Sequence, residues 1–178
     1  MGFSRKFGFS RRIWRLLAIV GAAIVVAVVR QWPFDVPDRL DGRARVIDGD
    51  SLRIGGEELR LVGIDAPEGR QTCRRDGADW ACGLASRDAL RDLLKQRPVA
   101  CDVEGVDKYD RLLAVCHIGE KDVNAWMVQN GWAVSYGRYG RDERMASQAR
   151  KGIWASEFEE PRVWRDRHLR GALAAAAS

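Results

Sequence analysis

The chain has 178 residues, 46% hydrophobic and 31% charged, a length that fits one folded domain with appendages rather than two full domains. Eighteen glycines and five prolines are ordinary counts, which excludes a low-complexity chain, and no internal repeat is visible. The formal charge of +5 does not mark a nucleic-acid-binding surface, because the first 40 residues carry seven basic against two acidic groups while the remaining 138 balance at 23 of each.

That excess sits in the N-terminal segment. A basic stretch from Arg5 to Arg15 precedes an uncharged apolar run from Leu16 to Val29. Its length is compatible with a signal-peptide core of about 7–15 residues and with a short membrane span of about 17–25 once flanking residues are counted. An uncleaved anchor over residues 1–30 is the favoured reading, with Trp14 and Trp32 near the two interfaces and the N-terminus cytoplasmic. The domain would then face the periplasm or the cell exterior. Secretion after signal cleavage is the alternative.

Residues 31–41 read as a Pro-containing linker, 42–165 as the folded domain and 166–178 as a flexible, Ala-rich tail. Within the domain, Arg43 to Asp48 and Ser51 to Ile54 have the composition of strands. Gly55-Gly56 turns the chain into a further strand from Glu57 to Ile64. Leu84 to Gln96 has helical periodicity, placing Leu84, Ala85, Ala89, Leu90, Leu93 and Leu94 on one side, and Pro98 stops it. Val99, Cys101 and Val103 alternate with polar neighbours as a half-buried strand, and Arg111 to Ile118 follows as its partner. Asp122 suits the N-cap of a helix reaching Asn130, and Asp142 to Lys151 forms another, ended by Gly152. A helix between the third and fourth strands predicts an α+β fold: a β-barrel with helices, the five-stranded, partly open barrel that binds oligonucleotides.

Four cysteines agree with an exported domain, since oxidising compartments favour disulfides. Cys101 and Cys116 flank a turn centred between Lys108 and Tyr109, which puts them opposite each other in an antiparallel hairpin. Cys73 and Cys82 bracket a polar loop and would staple it. Zinc is the rival reading, disfavoured because neither a C-x-x-C pair nor a histidine at ligand spacing is present.

Three stretches carry candidate chemistry. Asp48-Gly49-Asp50 places two carboxylates about a glycine at a strand bend. Arg60 is followed by Asp65-Ala66-Pro67-Glu68, where Pro67 ends the ladder and turns Glu68 inward. Asp107-Lys108-Tyr109-Asp110-Arg111 is a charged turn opening the next strand. Carboxylates without His or Cys partners suit a hard, oxygen-liganded cation such as calcium or magnesium. Two arginines suit a phosphodiester, because the guanidinium fork matches phosphate oxygens. Any one of these residues alone is more often plain surface; their occurrence together and in order is what points to metal-assisted phosphodiester hydrolysis.

These stretches resemble the signature of the staphylococcal-nuclease family over about Ala44 to Trp154, carried by Arg60…Asp65-Ala66-Pro67-Glu68, the Asp-Lys-Tyr-x-Arg turn, Asn124 to Ala133, and Gly152-Ile153-Trp154. The resemblance implies the oligonucleotide-binding barrel, calcium, and cleavage of both DNA and RNA to leave 3′-phosphates. By position it implies that Asp50, Asp65 and the Ala66 carbonyl ligate calcium, with Asp48 acting through water. Glu68 would be the general base, and Arg60 and Arg111 would bind the scissile phosphate. Lys108, Tyr109 and Tyr139 would contact substrate. Two departures stand out: Ala66 occupies a usual Thr position, and Asp110 replaces a Gly beside Arg111. Neither the residues nor the resemblance implies a protein partner, and a monomer is expected. Two other readings remain open: a non-catalytic binding module on the same barrel, and a metal-free ribonuclease using His117 and His168. The first is disfavoured by the full set of acids and arginines, the second by the strand alternation around His117.

Overall fold

The computed structural model describes residues 19–21, 36–95 and 97–176. Among the described residues no helix is long and apolar enough to cross a membrane. The proposed anchor lies outside them apart from residues 19–21, as does the linker before Val36.

From Val36 onward the chain forms one compact unit. Its main sheet uses β1 (Arg39–Arg43), β2 (Arg45–Asp48), β3 (Ser51–Ile54), β4 (Glu57–Leu61), β8 (Pro98–Val106) and β9 (Leu112–Ile118), in the order β1-β8-β9-β4-β3-β2. Only Ala44 separates β1 from β2, so the two ends of that path are one stretch of chain and the sheet curls back on itself. Counting β1–β2 once gives five strands, an OB-like α+β arrangement; the short β10 (Lys121–Asp122) adds to the edge of β9. Arg39 to Asp41, read as linker from sequence, are thus strand, paired with Ala100 to Asp102 of β8.

The β8–β9 hairpin keeps its expected register from Ala100↔His117 to Val103↔Ala114, then shifts by one residue across a bulge at Glu104. Cys101 and Cys116 face each other and are bonded, as are Cys73 and Cys82. The β4 strand is parallel to β9, which requires a long crossover. That crossover contains β5 (Ile64–Asp65), a hairpin of β6 (Cys73–Arg75) and β7 (Ala78–Trp80), and helix α1 (Cys82–Leu94).

Several boundaries move for identifiable reasons. The strand expected from Glu57 to Ile64 breaks after Leu61, because Gly63 takes a φ of +78° and redirects Ile64–Asp65 to pair with β11 (Val134–Ser135) in a separate two-stranded sheet. Helix α1 starts at Cys82 and ends at Lys95, whose left-handed φ of 37° closes it ahead of Pro98. Its buried face is Cys82, Gly83, Ser86, Leu90, Leu93 and Leu94, and Leu84 points outward. The expected N-cap of α2 (Val123–Gln129) is in place, with Asp122 Oδ1 accepting from the Ala125 N–H at 2.8 Å. Helix α3 (Gly140–Gln148) begins two residues before the expected start and ends three before the expected end, and Gly152–Ala155 forms a 3₁₀ turn. Where a flexible tail was expected from residue 166, the chain instead forms helix α4 (Pro161–Ala176). Pro161 opens it where a missing N–H costs nothing.

The core of the barrel is Leu52, Leu59, Leu61, Ile64, Leu90 and Met127 with their neighbours, all fully buried. A polar side chain with a structural role sits among them. Asn124 is fully buried, accepts from the Cys116 N–H (3.1 Å) and donates to the carbonyls of Val62 (2.9 Å) and Ala114 (3.1 Å). It ties α2 to both parallel strands at the point where β4 gives way to Gly63. Asn124→Ala is expected to lower stability by about 3 kcal/mol, since each buried backbone group left unpaired costs about 1–3 kcal/mol. Chemical denaturation of the oxidised chain measures this, and a change under 1 kcal/mol contradicts the assigned role.

Candidate active site

The bend between β2 and β3 carries Asp48 and Asp50, and Gly49 is required between them by packing. A Cβ at Gly49 would lie 2.2 Å from Ser86 Oγ and 2.7 Å from Ala66 Cβ. Ser86 cannot simply turn away, because its hydroxyl donates to the Trp132 carbonyl at 2.7 Å. Gly83 plays the same part for the Glu68 corner, where a Cβ would meet the Glu68 carbonyl oxygen at 1.8 Å. Two close approaches of helix α1 therefore press the Asp48–Asp50 bend and the Asp65–Glu68 corner together.

Asp50 is 4% exposed and fully bonded. Its Oδ1 accepts from Ser51 Oγ at 3.0 Å, and its Oδ2 accepts from the Ala66 N–H at 3.1 Å and pairs with Arg60 Nη2 at 2.9 Å. The same nitrogen reaches Asp65 Oδ1 at 2.6 Å. One guanidinium nitrogen thus holds carboxylates from two chain segments in one small space. Burial pushes the Asp50 carboxyl up, and Arg60 opposes it. Asp48 is pushed up to about 6, chiefly by burial, with the charges of Asp50 and Glu68 adding to the effect.

Across the cleft the 107–111 turn is built around Asp107. Its Oδ1 accepts from the backbone N–H groups of Tyr109 (2.8 Å) and Arg111 (3.1 Å), and its Oδ2 accepts from Arg111 Nε (2.9 Å) and Nη2 (2.6 Å). Although burial alone would raise it, the Arg111 guanidinium and these N–H donors hold the Asp107 carboxyl below its ordinary value. Asp110, the residue replacing Gly, adopts a φ of +62°.

A cleft of about 1140 Å³ brings together Asp48, Asp50, Arg60, Asp65, Glu68 and Arg111, and it is also lined by Lys108 and Tyr109. Tyr139 is placed elsewhere: it is not part of this lining, and its hydroxyl donates to Asp122 Oδ2 at 3.0 Å. Tyr136, three residues earlier, faces the cleft and is 49% exposed, as Tyr109 is at 63%. The substrate contact expected of Tyr139 from the resemblance is therefore corrected to Tyr136 as the second cleft tyrosine. Ala66 lies at the site through its backbone, and its side chain packs against the position of Gly49.

Two more side chains at the site, besides Tyr136, were not expected from the sequence. Gln71 is fully buried; its Oε1 accepts from the Glu68 N–H (3.2 Å) and its Nε2 donates to the Glu159 carbonyl (2.6 Å). Arg165, on the unexpected α4, donates from Nη1 to Asp65 Oδ1 (2.9 Å) and Glu68 Oε1 (2.7 Å), and from Nη2 to Asp65 Oδ2 (2.9 Å).

Among the described residues no group of three or more His, Cys, Asp or Glu side chains is gathered to enclose an ion unaided. The donor set nonetheless fits a hard cation: it is all oxygen, and acidic oxygens of Asp50, Asp65 and Glu68 already converge on cationic nitrogens. Such ions take a few protein oxygens and complete their shell with water.

An OB-like barrel with a cleft of acids and arginines at one edge defines a phosphate-handling class of protein. The model of the family "Staphylococcal nuclease homologue" matches residues 58–156, and the chain belongs to that family. It is 35% identical to the succinoglycan biosynthesis protein ExoI of Rhizobium meliloti over 77% of this chain and 76% of that one. It is also 33% identical to an uncharacterized endonuclease of Haemophilus influenzae over 68% of this chain and 70% of that protein. A micrococcal nuclease of Shigella flexneri is 30% identical over 84% of this chain and 91% of its own length.

The packing about Gly49 gives a direct test. Gly49→Ala is expected to cost about 1–3 kcal/mol, the usual range for overpacking a tight interior. It should also displace Asp48 and Asp50 from the Arg60 guanidinium. Thermal melting and a crystal structure of the variant check this; unchanged stability with an undisplaced bend contradicts it.

Proposed function

We propose that the chain is a metal-dependent endonuclease that hydrolyses phosphodiester bonds of DNA and RNA, with calcium as its ion and 3′-phosphate ends as products. The observation carrying this reading is the convergence of Asp50, Asp65 and Glu68 with Arg60 and Arg111 on one cleft. Membership of the nuclease family and two relatives named as an endonuclease and a nuclease support it.

When held by the carboxylates of Asp50 and Asp65 and the Ala66 carbonyl, calcium supplies positive charge that neutralises a phosphate oxygen and helps gather water. The chain does the rest. Asp48, next to Gly49, faces the same cleft and orients water from behind the first two acids. Glu68, at the turned corner, takes the proton of the attacking water. Arg60 is held by two carboxylates and Arg111 by Asp107, so both guanidinium groups are oriented before substrate arrives. Such preorganised donors stabilise the charge that develops on the phosphorus-bound oxygens. Lys108 adds attraction for the phosphate backbone, and the exposed rings of Tyr109 and Tyr136 offer bases a stacking surface that does not depend on sequence or sugar.

We propose further that the domain works outside the cytoplasm, held by the N-terminal segment 1–30, and acts as a monomer; the paired disulfides support the compartment.

The full-length oxidised chain is expected to cut single-stranded DNA and RNA with calcium and to stop on addition of chelator. Glu68→Gln should lower kcat by about 100- to 10,000-fold, the usual range for a lost general base. End-group analysis of the fragments reads the product phosphate. Full activity in chelator, or wild-type turnover by Glu68→Gln, overturns the reading.

A further inference from the structure

The C-terminal helix enters this site with a cation of its own, and the family match ends at residue 156, before it begins. Its approach is firmly seated. Arg74 and Glu157 exchange both backbone hydrogen bonds, each at 2.8 Å, on the hairpin closed by Cys73–Cys82. Trp80 Nε1 donates to Ser156 Oγ at 2.9 Å. Gln71 then joins the Glu68 backbone to the Glu159 carbonyl, so the start of α4 and the catalytic corner are fastened to one buried side chain. Arg165 lies one turn into the helix.

Its guanidinium makes three hydrogen bonds to the acids. Both oxygens of Asp65 accept from it, and Glu68 Oε1 accepts from the nitrogen shared with Asp65. Asp65 is 9% exposed at its side chain and Arg165 30%, so solvent screens the pair only in part. A divalent ion held by Asp65 would share its oxygens with this guanidinium and be repelled by it at contact distance, so each weakens the other's hold on the carboxylate.

We propose that Arg165 is a tethered counter-cation that competes with the divalent ion for Asp65 and Glu68, so that α4 sets the metal concentration at which the cleft becomes active. The inference rests on the metal assignment of the preceding section. Competition is reciprocal: whatever affinity Asp65 gives to Arg165 is subtracted from its affinity for the ion, and ion binding must in turn loosen α4 at its first turns.

Calcium titration calorimetry on the full oxidised chain tests this without reference to turnover. Arg165→Gln is expected to bind calcium at least about five-fold more tightly than the unmodified chain, the lower end of ordinary coupling between sites. Arg165→Lys, which keeps the charge and loses the fork, should fall between them. Arg170→Gln, whose exposed side chain bonds the helix carbonyl of Asp166 and does not line the cleft, should leave the affinity unchanged. Hydrogen exchange on the unmodified chain gives a second measurement that needs no variant to fold: calcium should raise exchange across residues 161–170 while slowing it at residues 48–68. Equal or weaker calcium binding by folded Arg165→Gln overturns the inference, as does calcium-induced protection of α4. Absence of calcium binding in every chain overturns the metal assignment, and this inference with it.

Discussion

One guanidinium group organises this molecule's chemistry. Arg60 Nη2 lies 2.9 Å from an oxygen of Asp50 and 2.6 Å from an oxygen of Asp65, and around that nitrogen the acids of two chain segments are packed into a space where they would otherwise repel each other. Carboxylates so close together and so poorly exposed resist ionising side by side, which is why Asp48 and Asp50 are both pushed upward. The fold meets that cost with fixed positive charge and with N–H donors. The same concentrated negative charge makes the site a candidate for a divalent cation.

The rest of the architecture can be read as the apparatus that keeps those segments in place. The curled sheet sets Asp50 beside Arg60, since Ser51 pairs with Arg60 across β3 and β4. The parallel pairing of β4 with β9 brings the 107–111 turn to the same end of the sheet, because Leu112 lies opposite Leu59. The crossover that parallel pairing demands is where the fold places its second set of acids, and helix α1 then clamps that crossover down through two positions with no room for a Cβ. The buried amide of Asn124 fixes the parallel strands from the opposite side. Polar groups at such depth persist only when fully bonded, and here each bond also holds an element that carries a site residue.

The C-terminal helix shows that the cleft has two walls. One belongs to the barrel and lies mostly within the family-matched region, with Asp48 and Asp50 just ahead of it. The other is α4, attached through Gln71 and the disulfide-closed hairpin, and it places an arginine against two acids of the opposite wall. A cleft formed this way can change its electrostatics by moving one helix, with no alteration of the barrel.

The sequence by itself determined a good deal. Period-two alternation gave the hairpin and its register, so Cys101 faces Cys116, and the register fails only past the bulge at Glu104. The spacing from Arg60 to Glu68 and the turn before Arg111 identified the residues that line the cleft, because each stretch breaks a local pattern in a way chemistry explains. What only the tertiary structure decided lies where local pattern is silent. Tyr136 rather than Tyr139 faces the cleft because the irregular segment after β11 sets their directions, and an irregular segment has no period to read. Arg165 stood at the last position of the expected domain, in a charged stretch with no element assigned to it and next to the expected tail. Its role arises from contacts 97 and 100 residues away along the chain, to Glu68 and Asp65, and no local propensity encodes a partner at that distance.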